Sequence, residues 1–246
     1  MLRPRIIPCI LIDRDDVVKT VQFSEPVYIG DPLNTVRLFN EKKSDEILII
    51  DISATRDKKK PNFKLIENIA EVARMPVAYG GGIKHKSDAI KIFRSGIEKI
   101  SINSLFFEDI NEVKEILKSV GSQSLVVTLD IKKINNNYSI FLDNGKNFVS
   151  NDLIGIIKKI EDIGLGEIII NNIDRDGTMV GYDDELIQLF YNNSSIPLTI
   201  LGGVGKHEHI QNSIDKFGNI GYACGSYFIF KGPRKAVLIS YENKFK

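Results

Sequence analysis

Short apolar runs alternate with amphipathic segments along this chain of 246 residues. The runs have the length of buried strands, and the segments between them place apolar residues at helical spacing, most clearly over 62–74, 151–163 and 183–191. Strands are predicted at residues 6–12, 47–52, 77–79, 99–102, 125–131, 167–170, 198–201 and 221–224. Eight strands alternating with helices predict an α/β fold, a single (β/α)8 TIM barrel over residues 1–246. The alternative is an open, doubly wound sheet.

The two halves of the sequence repeat each other at a spacing of 121 residues. Gly82 and Gly203 are this far apart, and so are Glu46 and Glu167, which stand at the starts of predicted strands. Two four-stranded halves can close on each other, so the repeat favours the barrel. The half-barrels are predicted at roughly 1–121 and 122–246.

Composition excludes several classes of partner. A net charge of +1 gives no reason to expect nucleic-acid or anionic-membrane binding. No apolar run approaches the roughly 20 residues of a membrane helix, and the N-terminus shows no signal peptide. Cys9 and Cys224 both lie in apolar runs, where buried structural cysteine is favoured over a disulfide or a catalytic thiol. Reduced cysteines fit a cytoplasmic protein.

Two connections are longer than a plain strand–helix loop. Residues 15–32 follow the first strand, and residues 133–148 contain two Asn- and Gly-rich turns around a short apolar run, which predicts a β-hairpin insertion. Both connections follow strands, so both are expected on the face of the barrel that carries the chemistry.

Glycines come directly after two of the predicted strands. Gly80, Gly81 and Gly82 follow one strand, and Gly202 and Gly203 follow its counterpart in the other half. Glycine lets backbone N–H groups approach a phosphate closely, and a following helix N-terminus favours the anion. Turn glycines that serve only a positive φ are the alternative. Their doubled, symmetric placement favours two phosphate sites, and hence a bis-phosphate or a nucleotide diphosphate-sugar.

Two carboxylates lie at carboxyl ends of predicted strands. Asp130 ends the 125–131 strand, and its pleat would turn Asp130 and Thr128 towards the barrel interior. We therefore predict Asp130 to be a general acid or base. Asp176, in the Arg175-Asp176-Gly177-Thr178 loop, is predicted either to orient substrate or to structure its loop.

The chain resembles the cyclase subunit of imidazole glycerol phosphate synthase, a (β/α)8 barrel of histidine biosynthesis, over nearly its whole length. The resemblance rests on Gly30-Asp31-Pro32, Asp51-Ile52, Gly80-Gly81-Gly82-Ile83, Lys99-Ile100-Ser101-Ile102-Asn103, Asp130, Ile173-Asp174-Arg175-Asp176-Gly177-Thr178 and Gly181-Tyr182-Asp183. In that family the barrel takes ammonia from a separate glutaminase subunit. It uses the ammonia to cleave and cyclise a bis-phosphorylated nucleotide.

The resemblance implies two anion sites for a phosphorylated small-molecule substrate. The first-half site comprises Gly81, Gly82, Asn103 and Ser104, and the second-half site Asp176, Gly177, Gly202, Gly203, Gly225 and Ser226. Lys19, in the long first connection, is implied to be a mobile lysine that contacts substrate; a surface lysine is the alternative. No cofactor is implied, and no metal site is predicted.

The resemblance also implies an ammonia gate. Arg5, Glu46, Lys99 and Glu167 each start a different strand, and strand starts lie at the bottom of a barrel. In the family such a ring admits ammonia, so the glutaminase partner is expected to dock on that bottom face. A salt-bridge cluster that only stabilises the barrel is the alternative.

One position departs from the family. Of its two catalytic aspartates, the second matches Asp130, but the first falls on Leu11, and Asp13 lies two residues further along. Leucine cannot exchange a proton. The departure resembles a paralogous branch associated with amidination of surface-polysaccharide sugars. Three functions follow: ammonia transfer to a phosphorylated sugar or nucleotide-sugar, the ordinary cyclase reaction with Asp13 as substitute, or a scaffold that activates the glutaminase.

Overall fold

The computed structural model describes residues 3–241. Its strands are β1 (Arg5–Asp13), β2 (Asp16–Lys19), β3 (Val27–Gly30), β4 (Ile47–Asp51), β5 (Val77–Gly80), β6 (Lys99–Ile102), β7 (Leu125–Ile134), β8 (Asn137–Leu142), β9 (Asn147–Ser150), β10 (Glu167–Asn172), β11 (Leu198–Leu201), β12 (Gly221–Cys224), β13 (Phe230–Lys231) and β14 (Ala236–Val237). Its α-helices are α1 (Pro32–Glu41), α2 (Ile52–Arg56), α3 (Phe63–Val72), α4 (Lys86–Arg94), α5 (Ser104–Glu108), α6 (Ile110–Val120), α7 (Leu153–Ile163), α8 (Asp184–Asn193), α9 (His207–Phe217) and α10 (Ser226–Ile229). A single 3-10 turn, Ser122–Ser124, precedes β7.

Eight of the strands form a closed parallel barrel. Its order is β1, β4, β5, β6, β7, β10, β11, β12, and β12 pairs with β1 to close the ring. The predicted barrel is therefore confirmed, and the open doubly wound sheet is not what forms. Three predicted strands, β6, β11 and β12, have the predicted bounds, whereas β1, β7 and β10 extend further towards the carboxyl-end face.

The strands are apolar on both faces because each face is covered. In β1, Ile6, Ile10 and Ile12 belong to the large core between the barrel and its helices. The alternate residues Ile7 and Cys9 pack inside the barrel. The interior cluster also contains Leu48, Ala78, Val126, Ile169, Leu201 and Ala223. Parallel sheets covered on both sides need this continuous apolar pattern, and it explains why simple alternation is missing from the sequence.

Both long connections form antiparallel extensions of barrel strands. β2 and β3 form a hairpin on β1, and the tight turn from β1 to β2 holds Arg14 and Asp15 at positive φ. β8 pairs with the extended end of β7 and carries β9 on its other side, so the predicted hairpin at 133–148 is a three-stranded ribbon. Asn135 and Asn136 adopt φ values of 47° and 64° in its first turn, a conformation that asparagine tolerates.

The two halves of the barrel share a close contact between a glycine and a backbone carbonyl oxygen of the neighbouring strand. Gly81 has a φ of 126°, and a Cβ there would overlap the Asp51 carbonyl oxygen. Gly202 has a φ of 103°, and a Cβ there would lie 2.7 Å from the Asn172 carbonyl oxygen. Both pairs are related by the 121-residue spacing. Glycine is required at both positions by the same close approach of neighbouring strands.

Candidate active site

A cavity of about 340 Å³ opens at the carboxyl ends of the barrel strands. Its floor consists of inward-facing strand residues, among them Leu11, Ser101, Thr128, Asp130 and Asn171. Its walls include residues 23–26 of the β2–β3 connection and residues 143, 144 and 146 of the β8–β9 turn. Both long connections thus lie on the predicted face. The cavity has the size of a small-molecule site.

Asp130 lies partly buried on this floor. Its two carboxylate oxygens accept hydrogen bonds from Asn103 Nδ2 at 2.9 Å and from Asn171 Nδ2 at 2.8 Å. Burial raises the pKa of Asp130 to about 6; the two amide donors oppose this shift, and the charge of Asp176 adds to it. A carboxyl group with a pKa near neutrality is suited to proton transfer.

Asp176 faces the same cavity and also anchors the β2–β3 hairpin. Its carboxylate accepts from Thr20 Oγ1 at 3.0 Å, and its backbone oxygen accepts from the amide of Gln22 at 3.0 Å. Gln22 Nε2 also donates to the Asp174 carbonyl at 2.7 Å. The two predicted roles of Asp176, substrate orientation and loop structure, are therefore compatible with one position.

Leu11 lines the cavity, and no second carboxylate replaces it from Asp13. Leu11 pairs with Ile50 on one side and with Val18 on the other. Asp13, at the end of β1, is instead engaged by the Arg56 guanidinium in two hydrogen bonds of 2.8 and 3.1 Å, and it does not line the cavity. An aspartate held in this way is poorly placed to take over proton transfer.

The first-half anion residues meet at one wall of the cavity. Gly81, Gly82, Asn103 and Ser104 all line it, beside Arg56, Lys58 and Lys84. Positive side chains and glycine backbone at one wall suit an anionic group. Their role in binding phosphate remains a prediction.

The second-half residues are arranged differently. Gly177, Gly202, Gly203, Gly225 and Ser226 do not line the cavity. The β2–β3 hairpin covers part of this region, because a Cβ on Gly177 would overlap the Thr20 carbonyl oxygen and a Cβ on Gly225 would overlap Lys19 Nζ. Of the second-half set, Asp176 alone lines the cavity, and the role of the set in binding phosphate remains a prediction.

Lys19 is not a surface lysine. It ends β2, is only 6% exposed, and lines the cavity. The hairpin carries its ammonium to Gly225, within the second-half set. This placement disfavours the alternative raised by its position in a long connection, namely a solvated side chain.

Four charged side chains form a closed ring at the opposite end of the barrel. Arg5 contacts Glu46 at 3.0 Å and Glu167 at 2.6 Å, and Lys99 contacts the same two carboxylates at 3.2 and 3.1 Å. Burial alone would raise the pKa of Glu167, but Arg5 and Lys99 outweigh it and hold that pKa below its usual value. The ring is therefore charged and internally neutralised. Whether it gates ammonia is a prediction.

A narrow space lies directly inside this ring. Its volume is about 10 Å³, room for about one water-sized molecule, and its walls include Ile7, Leu48, Ala78, Val126 and Ile169. The barrel interior between the ring and the cavity is thus mainly apolar.

Two polar residues important to the floor were missed by sequence reasoning. Asn171 follows the apolar run 168–170, where the predicted strand ends, whereas β10 continues to Asn172. Thr20 donates a hydrogen bond to the Asp176 carboxylate. It lies in the connection between β2 and β3, and the sequence does not show how that hairpin aligns with β1. A polar residue directly after an apolar run at a strand end is the signal that identifies Asn171.

Both cysteines are buried and unpaired, as predicted. Burial raises the pKa of Cys9 to about 12, so its thiol stays protonated although it lines the cavity. Within residues 3–241, no three His, Cys, Asp or Glu side chains gather as metal ligands would. In the same residues no helix is long and apolar enough to cross a membrane.

Fold and site together define a (β/α)8 barrel with a carboxylate of raised pKa in a cavity at the top and an ion-pair ring at the bottom. The chain belongs to the histidine biosynthesis protein family, whose model matches residues 5–232. It is 48% identical over 99% of its length to a Leptospira borgpetersenii protein provisionally named imidazole glycerol phosphate synthase subunit HisF, of which it covers 96%. A Leptospira interrogans protein with the same provisional name is 44% identical, with coverage of 99% and 97%. Imidazole glycerol phosphate synthase subunit HisF of Saccharolobus solfataricus is 39% identical, with coverage of 85% and 83%.

Proposed function

We propose that this protein is the ammonia-accepting synthase subunit of a glutamine-dependent enzyme, and that it transfers ammonia to a phosphorylated sugar or nucleotide-sugar. The observation that carries the proposal is that the cavity floor contains Asp130 but has Leu11 at the position of the related family's other catalytic aspartate. Asp130 has a pKa near 6, which suits it to proton transfer, whereas Leu11 makes the second position of an acid–base pair apolar. Addition of ammonia to a carbon centre needs one such group, whereas ring closure in the related family uses two.

The barrel interior supports ammonia as the co-substrate. The apolar space between the ring and the cavity disfavours ammonium and other ions, but a small neutral molecule passes it at lower cost. The ring of Arg5, Glu46, Lys99 and Glu167 is the proposed entrance. The glutaminase partner accordingly docks on the bottom face, where the ring lies.

In the proposed mechanism the substrate's anionic group binds at the wall formed by Gly81, Gly82, Asn103 and Ser104. Lys19 and Asp176 contact the substrate from the hairpin side. Asp130 then takes a proton from the nitrogen as it adds to the substrate's acetamido carbon and passes it to the carbonyl oxygen, because its pKa lets the ionised form predominate at neutral pH. Loss of that oxygen as water, with a second hydrogen from the nitrogen, leaves the amidine. The biological role we propose is amidation in the synthesis of surface-glycan precursors.

The ordinary cyclase reaction of histidine biosynthesis is the second candidate. It is favoured by the name of the Saccharolobus solfataricus relative, imidazole glycerol phosphate synthase subunit HisF, and by the presence of Asp130 and Asp176 in the cavity. It requires a substitute for the missing first carboxylate, and the Arg56–Asp13 ion pair disfavours the nearest one.

The test is transfer of nitrogen from isotopically labelled ammonium to acetamido-bearing nucleotide sugars by the purified protein. Labelled product from the natural protein and none from Asp130→Asn supports the proposal. A third reading, a barrel that only activates the glutaminase, predicts that Asp130→Asn leaves product formation by the complex unchanged. That result, with the partner still bound, would refute the catalytic role.

A further inference from the structure

The carbonyl oxygen of the Asn171 side chain is buried and accepts no hydrogen bond from any residue in 3–241, and Asn171 is one of the residues that line the cavity. The residue as a whole is 6% exposed. Nearly all buried polar atoms in folded proteins have a partner, and leaving one without costs stability. An unpaired acceptor at this place therefore needs an explanation.

The strand register shows why the protein itself supplies no donor. Asn171 lies on β10 between Asp130 of β7 and Leu201 of β11. Its Nδ2 donates to Asp130 on one side, while the neighbour on the other side is apolar. With the amide oriented by Asp130, its oxygen is left without a partner.

The matched residue Asn103 differs in this respect. It too donates from Nδ2 to Asp130, at 2.9 Å, and it lines the same cavity. Its carbonyl oxygen is not among the buried, unpaired atoms of the described chain. Support of Asp130 therefore does not by itself leave an amide oxygen unpaired.

The unpaired oxygen and the Asp130 carboxylate share a ligand preference. Both are acceptors, and they belong to side chains in direct contact. A ligand that satisfies both must carry at least two N–H or O–H hydrogens and be small enough for the floor of the barrel. A nitrogen with several hydrogens meets this requirement, and a cationic form is further favoured by the carboxylate.

We propose that Asn171 binds the reactant nitrogen: ammonia or ammonium donates one hydrogen to Asn171 Oδ1 and another to the Asp130 carboxylate. This inference rests on the proposed function and names the residue that holds ammonia at the end of its path. Asn171 thereby favours a small ligand with several N–H hydrogens over an apolar ligand. It also places the nitrogen beside Asp130, which takes its proton.

The test uses the whole protein and ammonium chloride, with no nucleotide or sugar present. The titration of Asp130 is followed through the ¹³C signal of its side-chain carboxyl, assigned by its loss in Asp130→Asn. Tetramethylammonium chloride at equal concentration is the control, because it has the same charge and no N–H hydrogen. A bound cation favours the ionised carboxylate, so ammonium should lower the pKa of Asp130 by about one unit at saturation, and tetramethylammonium should not.

Two variants separate binding by Asn171 from support of Asp130. Asn171→Leu keeps the volume but removes the acceptor, and it should abolish the ammonium effect. Asn103→Ala removes the other hydrogen bond to Asp130, and it should retain the effect. Asn171→Ala gives a second test at the same site if the leucine variant fails to fold.

Two results would overturn the inference: no difference between ammonium and tetramethylammonium in the natural protein, or an unchanged ammonium effect in a folded Asn171 variant. Because no substrate is used, failure to find a glycan substrate would leave the ammonium site standing. Conversely, an active amidating enzyme without the ammonium effect would refute only the role of Asn171.

Discussion

At the scale of single residues, Asp130 is a carboxylate that the fold keeps partly out of water between two amide donors. Its position on β7 makes this unavoidable, because the pleat turns it into the barrel, β10 supplies Asn171, and Asn103 directly follows β6. The raised pKa follows from burial, and the same burial costs stability whenever the group is ionised.

Asp130→Asn should therefore stabilise the protein at neutral pH. The pKa of Asp130 is raised from 3.8 to about 6, so the folded state holds the proton more tightly than the unfolded state. Stability falls as pH rises through this interval, and the loss persists above it. Asparagine removes the loss, with an expected gain of about 2–3 kcal/mol in the free energy of unfolding at pH 7.

The new amide can be accommodated because Asn171 can turn its unpaired oxygen towards it. Urea unfolding of both proteins at neutral pH and near pH 4 measures the effect. Most of the gain should vanish at the lower pH, where the natural carboxyl is largely protonated when folded. An equal gain at both pH values would show that ionisation of Asp130 is not its cause.

At the scale of elements, the β2–β3 hairpin is held against the second half of the barrel by backbone contacts. Gly177→Ala tests this, because its Cβ would overlap the Thr20 carbonyl and the residue has a φ of 69°. We expect a loss of about 1–3 kcal/mol in the free energy of unfolding and faster proteolysis within residues 20–26.

Gly121→Ala is the matched control for this substitution. Gly121 has a φ of 84°, but nothing lies within 4 Å of an added Cβ. It should show backbone strain without accelerated cleavage of the hairpin. Equal cleavage of the two variants would argue that Gly177 does not hold the hairpin.

The ion-pair ring joins the starts of β1, β6 and β10 with Glu46, which directly precedes β4. Lys99→Ala leaves the two glutamates bridged only by Arg5. If the ring admits ammonia, glutamine-driven turnover by the complex should fall more than turnover driven by added ammonium. Lys118→Ala, which removes an exposed lysine paired with Glu115, is the control and should affect neither. Equal losses from both nitrogen sources in Lys99→Ala would contradict the gate.

At the scale of the whole molecule, sequence patterns predicted the barrel because its strands are apolar on both faces and its halves repeat. The patterns also placed Asp130 and Gly80–Gly82 at the carboxyl-end face, and the family resemblance added Asn103 and Ser104. They did not predict that the β2–β3 hairpin would cover Gly177 and Gly225 and bury Lys19, because its register on β1 depends on contacts across the fold. The unpaired oxygen of Asn171 could not be predicted from sequence either, because it depends on which residues of β7 and β11 lie beside Asn171 in the barrel.

The barrel thus has a charged ring at one end and, at the other, a cavity whose floor contains both Asp130 and Leu11. The central claim is that Leu11 removes ring closure and leaves ammonia transfer. The most direct measurement is product formation from the histidine-pathway nucleotide with saturating ammonium, for the natural protein and for Leu11→Asp. We predict no cyclised product from the natural protein and measurable product once the carboxylate faces Asp130. Robust cyclised product from the natural protein would contradict the claim and identify the chain as an ordinary cyclase subunit.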